Sequence, residues 1–132
     1  MKKTSAVLLA TLLLLVLSMP AHAGMITCVQ CGMKSDMGPF TARILDGEKA
    51  SYFCDIGDLF AYLNKKKQQA GKVEVAEYKT GDWLDARAAF YVHAETKFRS
   101  PMGWGIASFK DMKSAGEYGR ALDFDAALKA VQ

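Results

Sequence analysis

Three cysteines and two of the methionines carry the chemistry most readily read from this chain. Cys28-Val-Gln-Cys31 runs directly into Gly32-Met33, so a thiolate and a thioether stand two residues apart with a glycine between them to allow a tight turn. Cys54 closes a β-prone run that can return toward the start of the domain, and Met102 lies in Ser100-Pro-Met-Gly-Trp-Gly105, an irregular loop punctuated by Pro and Gly. Thiolate and thioether donors with few imidazoles suit Cu(I) better than zinc or harder ions. Taken alone, the residues leave two rivals open: a structural disulfide within Cys-x-x-Cys beside a free thiol, and thiol–disulfide exchange at Cys28 and Cys31. Covalent haem attachment is excluded because Gly32, not His, follows Cys31. A thioredoxin-like site needs a strand feeding the helix that activates the first thiol, and there is no room for one ahead of Cys28 once the leader described below is removed.

The remaining candidates have plainer readings. Met25, Met37 and Met112 are expected to fill the core. His93 reads as a satisfied or solvated strand histidine, and Asp58 as an acid serving a helix N-terminus. No Ser-His-Asp arrangement, phosphate-cradling loop or catalytic carboxylate pair is legible, so no enzymatic activity is expected.

The elements that must position these side chains follow from pattern. Phe40 to Leu45 and Ala50 to Cys54, joined by Asp46-Gly47-Glu48, read as a β-hairpin. Asp55 reads as an N-cap, and Ile56, Leu59, Phe60 and Leu63 share one helix face; Lys65, Lys66, Lys67 and Gly71 fit the helix close. Lys72 to Ala76 alternates as a strand. The pattern then recurs: Ala88 to His93 and Gly105 to Phe109 read as strands, and Asp111 as the cap of a short helix ending near Gly119. Leu122 to Phe124 and Ala126 to Val131 supply a last strand and helix. Phe53, Asp55 and Tyr62 align with Phe109, Asp111 and Tyr118 at one constant offset, which points to two related strand-strand-helix units. The expected fold is α+β, two small ββα-type units packed together, with residues 24–80 as the first and 81–132 as the second.

Composition sets the outer limits. A chain of 132 residues, 51% hydrophobic and 23% charged, excludes a large multidomain enzyme. Lys2-Lys3, an apolar run from Ala6 to Leu17 and Ala21-His22-Ala23 describe a secretory signal peptide over residues 1–23, cut after Ala23. Losing Lys2 and Lys3 takes the formal charge from +3 to +1, which shows no electrostatic footprint for nucleic acid. Gly24 stands where a lipoprotein would need Cys. The expectation is an exported, periplasmic protein without a stable membrane anchor.

Several of these stretches together resemble the NosL family. They are Cys31-Gly-Met33, the hairpin with Gly47, Phe53-Cys-Asp-Ile-Gly-Asp58-Leu-Phe, Asp82-Trp-Leu-Asp-Ala-Arg-Ala-Ala-Phe-Tyr-Val92 and Ser100-Pro-Met-Gly-Trp-Gly-Ile-Ala-Ser-Phe109. That family comprises nitrous-oxide reductase accessory proteins, exported copper proteins linked to assembly of the copper centres of that reductase. The resemblance implies two ββα-type units, Cu(I) held by Cys31, Met33 and Met102, and a copper-enzyme client. Cys28 and Cys54 are additions to the minimal family motif, each open to being a further ligand, a disulfide partner or neither. The first half is also similar to short metal-binding modules of the TRASH and YHS kind, whose later Cys is Asp58 here. Many NosL-like chains begin with a lipid-anchored Cys, which this one lacks. The reading is therefore an exported Cu(I) metallochaperone, against a thiol–disulfide protein or a small disulfide-bonded structural domain.

Overall fold

The computed structural model describes residues 24–66 and 71–132; the leader expected over 1–23 and Lys67 in the helix close lie outside the described residues. The first element is a short antiparallel hairpin, β1 (Met25–Thr27) and β2 (Lys34–Asp36), in register Met25 with Asp36 and Thr27 with Lys34. Its connection is the Cys-x-x-Cys-Gly-Met segment. Cys28 N–H donates to Met33 O at 2.9 Å and Gly32 N–H to Cys28 O at 2.8 Å, and Gly32 adopts φ 77°, a left-handed turn that a side chain would strain. Only Ile26 of β1 points inward, so Met25 is exposed and does not fill the core as expected.

The next elements build a four-stranded antiparallel sheet, in order β4-β3-β5-β6. β3 (Ala42–Asp46) and β4 (Lys49–Phe53) form the expected hairpin around Gly47, with Ala42 opposite Phe53. Helix α1 (Ile56–Lys66) follows and buries Ile56, Leu59 and Phe60 completely, the face that the apolar spacing predicts. Asp55 accepts the Gly57 N–H at 3.0 Å as an N-cap should, and Lys65 and Lys66 occupy the last turn, where the helix dipole favours cations. β5 (Lys72–Ala76) returns antiparallel to β3, and β6 (Trp83–Asp85), a strand not expected from the sequence, pairs with β5.

The second half repeats the pairing order. β7 (Phe90–His93) and β8 (Ile106–Phe109) pair antiparallel, and α2 (Met112–Gly116) starts at Asp111, whose carboxylate accepts the Ser114 N–H at 2.7 Å. The chain then returns to β7 as β5 returns to β3, but only as a bridge between Leu122 and Tyr91. The strand expected over Leu122 to Phe124 stops there because Asp123 caps α3 (Phe124–Lys129), accepting the Ala126 N–H at 2.8 Å. The two halves differ most in their hairpin connections. β3 and β4 are joined by a tight turn, whereas the link from β7 to β8 is a long loop that carries Ser100-Pro-Met-Gly-Trp104.

Both halves supply one core. Phe60 meets Tyr91 and Phe124 edge-on, with ring centroids 5.3 and 5.6 Å away, and Ile106 lies in the same cluster. A second cluster gathers Phe98 and Phe109 with Phe40 and Tyr78 packed against them. No helix among the described residues is long and apolar enough to cross a membrane. Met112 opens α2 on its outer face and is 61% exposed, which corrects the core role expected of it. Met112→Ala is accordingly expected to change unfolding free energy by no more than about 0.5 kcal/mol in a denaturant titration, the range for surface sites.

Candidate metal centre

The cysteines meet where the first hairpin lies against the start of α1. Val29 N–H donates to Tyr52 O at 3.0 Å, and this backbone bond ties the β1–β2 connection to β4 just ahead of Cys54. The Cys31 and Cys54 sulfurs come to 3.6 Å of one another. Cys28, at the end of β1, directs its thiol to Asp58 Oδ2 at 3.3 Å. Asp58 lies in the first turn of α1, and Cys54 just ahead of the helix; the Cys54 thiol donates to the same Oδ2 at 3.7 Å. One ligand atom from each of Cys28, Cys31, Cys54 and Asp58 lies within 4.8 Å of all the others.

Burial divides the four. Cys28, Cys54 and Asp58 are buried, whereas Cys31 is exposed at the mouth of the cluster. Burial pushes the Cys54 thiol far above its ordinary titration range, and the adjacent Cys31 and Cys28 push it further. Desolvation among these groups also raises Cys31, opposed in part by a hydrogen bond from the Met33 backbone. At neutral pH these two side chains are therefore neutral thiols, and a cation entering the cluster would have to displace their protons. All three cysteines are free, and the Cys31 sulfur lies within hydrogen-bonding distance of the Cys54 sulfur.

Residues of the second half close around the same helix start. Trp104 Nε1–H donates to Asp58 Oδ1 at 2.9 Å. The indole rests directly on the backbone of Gly57, where a β-carbon would lie 2.0 Å from Trp104 Cγ, so glycine is required for this approach. Asp55, next to Cys54, accepts from Ser100 Oγ at 2.5 Å and from the Met102 N–H at 3.0 Å. The loop bearing Met102 is thus fastened beside the cluster, and the connection bearing Met33 is tied to β4 through Val29. Both methionine side chains are partly exposed, 40% for Met33 and 43% for Met102.

Asp58 lies in the first turn of α1, as an acid serving the helix N-terminus does, and its carboxylate also accepts from two thiols and an indole. The available signal is the closeness of Asp58 to Cys54 in sequence, four residues apart across the helix start. Asp55 as a tie to the second half, and Trp104 as the partner of Asp58, carry no comparable local pattern. His93 lies outside the cluster, exposed at the end of β7, with Nε2 3.5 Å from Glu95 Oε1.

Fold and site together define a small α+β protein with three thiols and a carboxylate converging at a helix start, covered by a loop from its second half. The NosL family model matches residues 21–123. The chain belongs to the NosL family. In fold it is similar to the crystal structure of the copper chaperone NosL from Shewanella denitrificans, with a TM-score of 0.63 and 24% sequence identity, covering 76% of this chain and 87% of that one. No curated protein sequence matches significantly.

Proposed function

We propose that this chain is a copper chaperone that carries one Cu(I) ion as cargo. The observation that carries this reading is the convergence of Cys28, Cys31 and Cys54 within 4.8 Å of one another, with the backbone of Met102 tied to Asp55 next to Cys54. Cu(I) is a soft, low-charge ion for which thiolates and thioethers are the preferred donors. Cys31, Met33 and Met102 are the exposed sulfur ligands and Cys28 and Cys54 the buried ones. Exposure of Cys31 suits exchange, since an incoming sulfur ligand from another protein can reach the metal only at the open side. The solved relative is itself a copper chaperone, which supports the reading.

The client follows from the family resemblance: a copper enzyme, nitrous-oxide reductase, whose copper centres would be assembled from this cargo. The charged, apolar and small-residue sequence at the N-terminus supports export, with cleavage after Ala23 and action in the periplasm. The protein's part is binding and transfer, with no turnover of its own.

Asp58 gives zinc one specific argument, because three cysteines and a carboxylate are a set that zinc accepts. The test is anaerobic thiol titration of the reduced protein with and without metal, combined with competition against a Cu(I) chelator and, separately, a zinc chelator. One equivalent of Cu(I) is expected to protect the cysteines and to be retained where zinc is lost. Tighter retention of zinc would overturn the copper reading, and a Cys28–Cys31 disulfide with no metal uptake would leave a redox or structural protein.

A further inference from the structure

The buried carboxylate of Asp55 is more than a helix cap. Oδ1 accepts the Gly57 N–H at 3.0 Å, which is the capping bond. Oδ2 reaches into the other half of the molecule, accepting the Ser100 hydroxyl at 2.5 Å and the Met102 N–H at 3.0 Å. Ser100 Oγ in turn accepts the Gly105 N–H at 3.0 Å, so one hydroxyl draws the two ends of the Ser100–Gly105 loop together. Asp55 is wholly buried and Ser100 nearly so. A fully buried carboxylate is costly unless hydrogen bonds satisfy it. All of those found here except the cap go to the loop of Met102.

We propose that Asp55 and Ser100 are positioning residues that hold Met102 beside the thiol cluster, so that the second half of the chain contributes a ligand to a copper site built mainly by the first. This rests on the Cu(I) reading above. Met102 itself is exposed on a loop, with Gly103 next to it and Gly105 further on, and nothing in its own side chain would keep its thioether at one place. The bond to its backbone N–H acts at the residue itself, and the Ser100 bridge closes the loop behind it. Partners of this outer kind typically change metal affinity about 10–100-fold when removed.

Asp55→Asn is the sharpest variant. Asn is as good an N-cap as Asp, so the bond to Gly57 can be kept, but its amide NH2 cannot accept the two hydrogen bonds that Oδ2 takes from the loop. Ser100→Ala removes the bridge from the other side. Two readouts are used on the full mature chain: Cu(I) affinity by chelator competition, and, without metal, the NMR signal of a 13C-labelled Met102 methyl.

The expected result is a loss of Cu(I) affinity of about tenfold or more in either variant, with no further loss when Met102→Ala is added, because the removed interaction acts through Met102. In the metal-free protein the Met102 methyl should move toward the position of a mobile methionine in both variants. Unchanged affinity, or losses that add to that of Met102→Ala, would overturn the proposal. So would an unmoved methyl signal. If the wild type takes up no Cu(I) while the methyl is released in both variants, positioning stands and the copper reading falls.

Discussion

Cys31→Ser is expected to lower Cu(I) affinity by more than about 100-fold while leaving the metal-free protein almost as stable as before. The first half of that expectation comes from ligand chemistry: loss of an outer-shell partner alone costs about 10–100-fold, and serine offers a hard oxygen where a soft ion needs sulfur. The second half comes from burial. Cys31 is the exposed thiol of the three, and exposed substitutions are usually within about 0.5 kcal/mol of neutral. Chelator competition and thermal melting, each with and without Cu(I), check both parts. A ligand that binds only the folded protein raises stability by about 4 kcal/mol at a thousandfold excess over its Kd, so the wild type should show a clear copper-induced rise in Tm. That rise should be nearly absent in Cys31→Ser. Retained copper in the variant would place the ion on Cys28, Cys54 and Asp58 alone and remove the exchange role of Cys31.

The contrast with Cys54 follows from the same geometry. Its thiol is buried, donates to Asp58 and touches the Cys31 sulfur, so its replacement would disturb packing and ligation together. Cys31 is therefore the position at which ligation can be removed with least structural consequence.

Elements with a strong apolar period were legible in the sequence, and those held mainly by backbone pairing were not. Ile56, Leu59 and Phe60 announce α1 because a buried helix face must repeat at helical spacing. β2 is Lys34-Ser35-Asp36, with no β-prone side chain, and it exists because the tight turn at Gly32 folds its backbone onto β1. β6 was hidden for a similar reason: it is three residues long and completes a sheet edge beside β5. Met25 and Met112 show the limit from the other side, since hydrophobic character alone does not tell which side of a three-residue strand or a one-turn helix a residue will occupy.

The site divides the same way. That Cys28 and Cys31 belong to one candidate site could be read from residue type and spacing, because Cys-x-x-Cys-Gly-Met is a local pattern. The carboxylates behind them could not, because what they do depends on contacts across the fold. Asp55 and Asp58 look like the acids of any helix start, and such acids are favoured there by the helix dipole regardless of further partners. The approach of the Ser100–Gly105 loop gives Asp55 its second task, and the Cys28 and Cys54 thiols together with the Trp104 indole give Asp58 its own.

That approach depends on Gly57, and the expected effect of Gly57→Ala is destabilisation by about 2–4 kcal/mol, from overpacking of about 1–3 kcal/mol and loss of a charged hydrogen bond of about 1.5–3 kcal/mol that partly overlap. Helix propensity argues for the opposite sign, since Ala is better than Gly inside a helix by about 1 kcal/mol. The contact decides. An alanine β-carbon would sit 2.0 Å from Trp104 Cγ and 2.3 Å from Trp104 Cβ, distances that force the indole off the helix. Moving the indole breaks its 2.9 Å hydrogen bond to Asp58, leaving a buried carboxylate short of a partner beside the thiols. Gly116→Ala is the control, because Gly116 lies in α2 with nothing within 4 Å of its would-be β-carbon; there propensity acts alone and the change should be neutral or stabilising. For a domain of this size about 1 kcal/mol shifts Tm by several degrees, so the two alanines should separate clearly in a melting experiment. Trp fluorescence should redden in Gly57→Ala as Trp104 gains water. Equal melting temperatures for the two variants would mean that the loop adapts to the added methyl, and that the Trp104–Asp58 contact does not couple the second half of the chain to the thiol cluster.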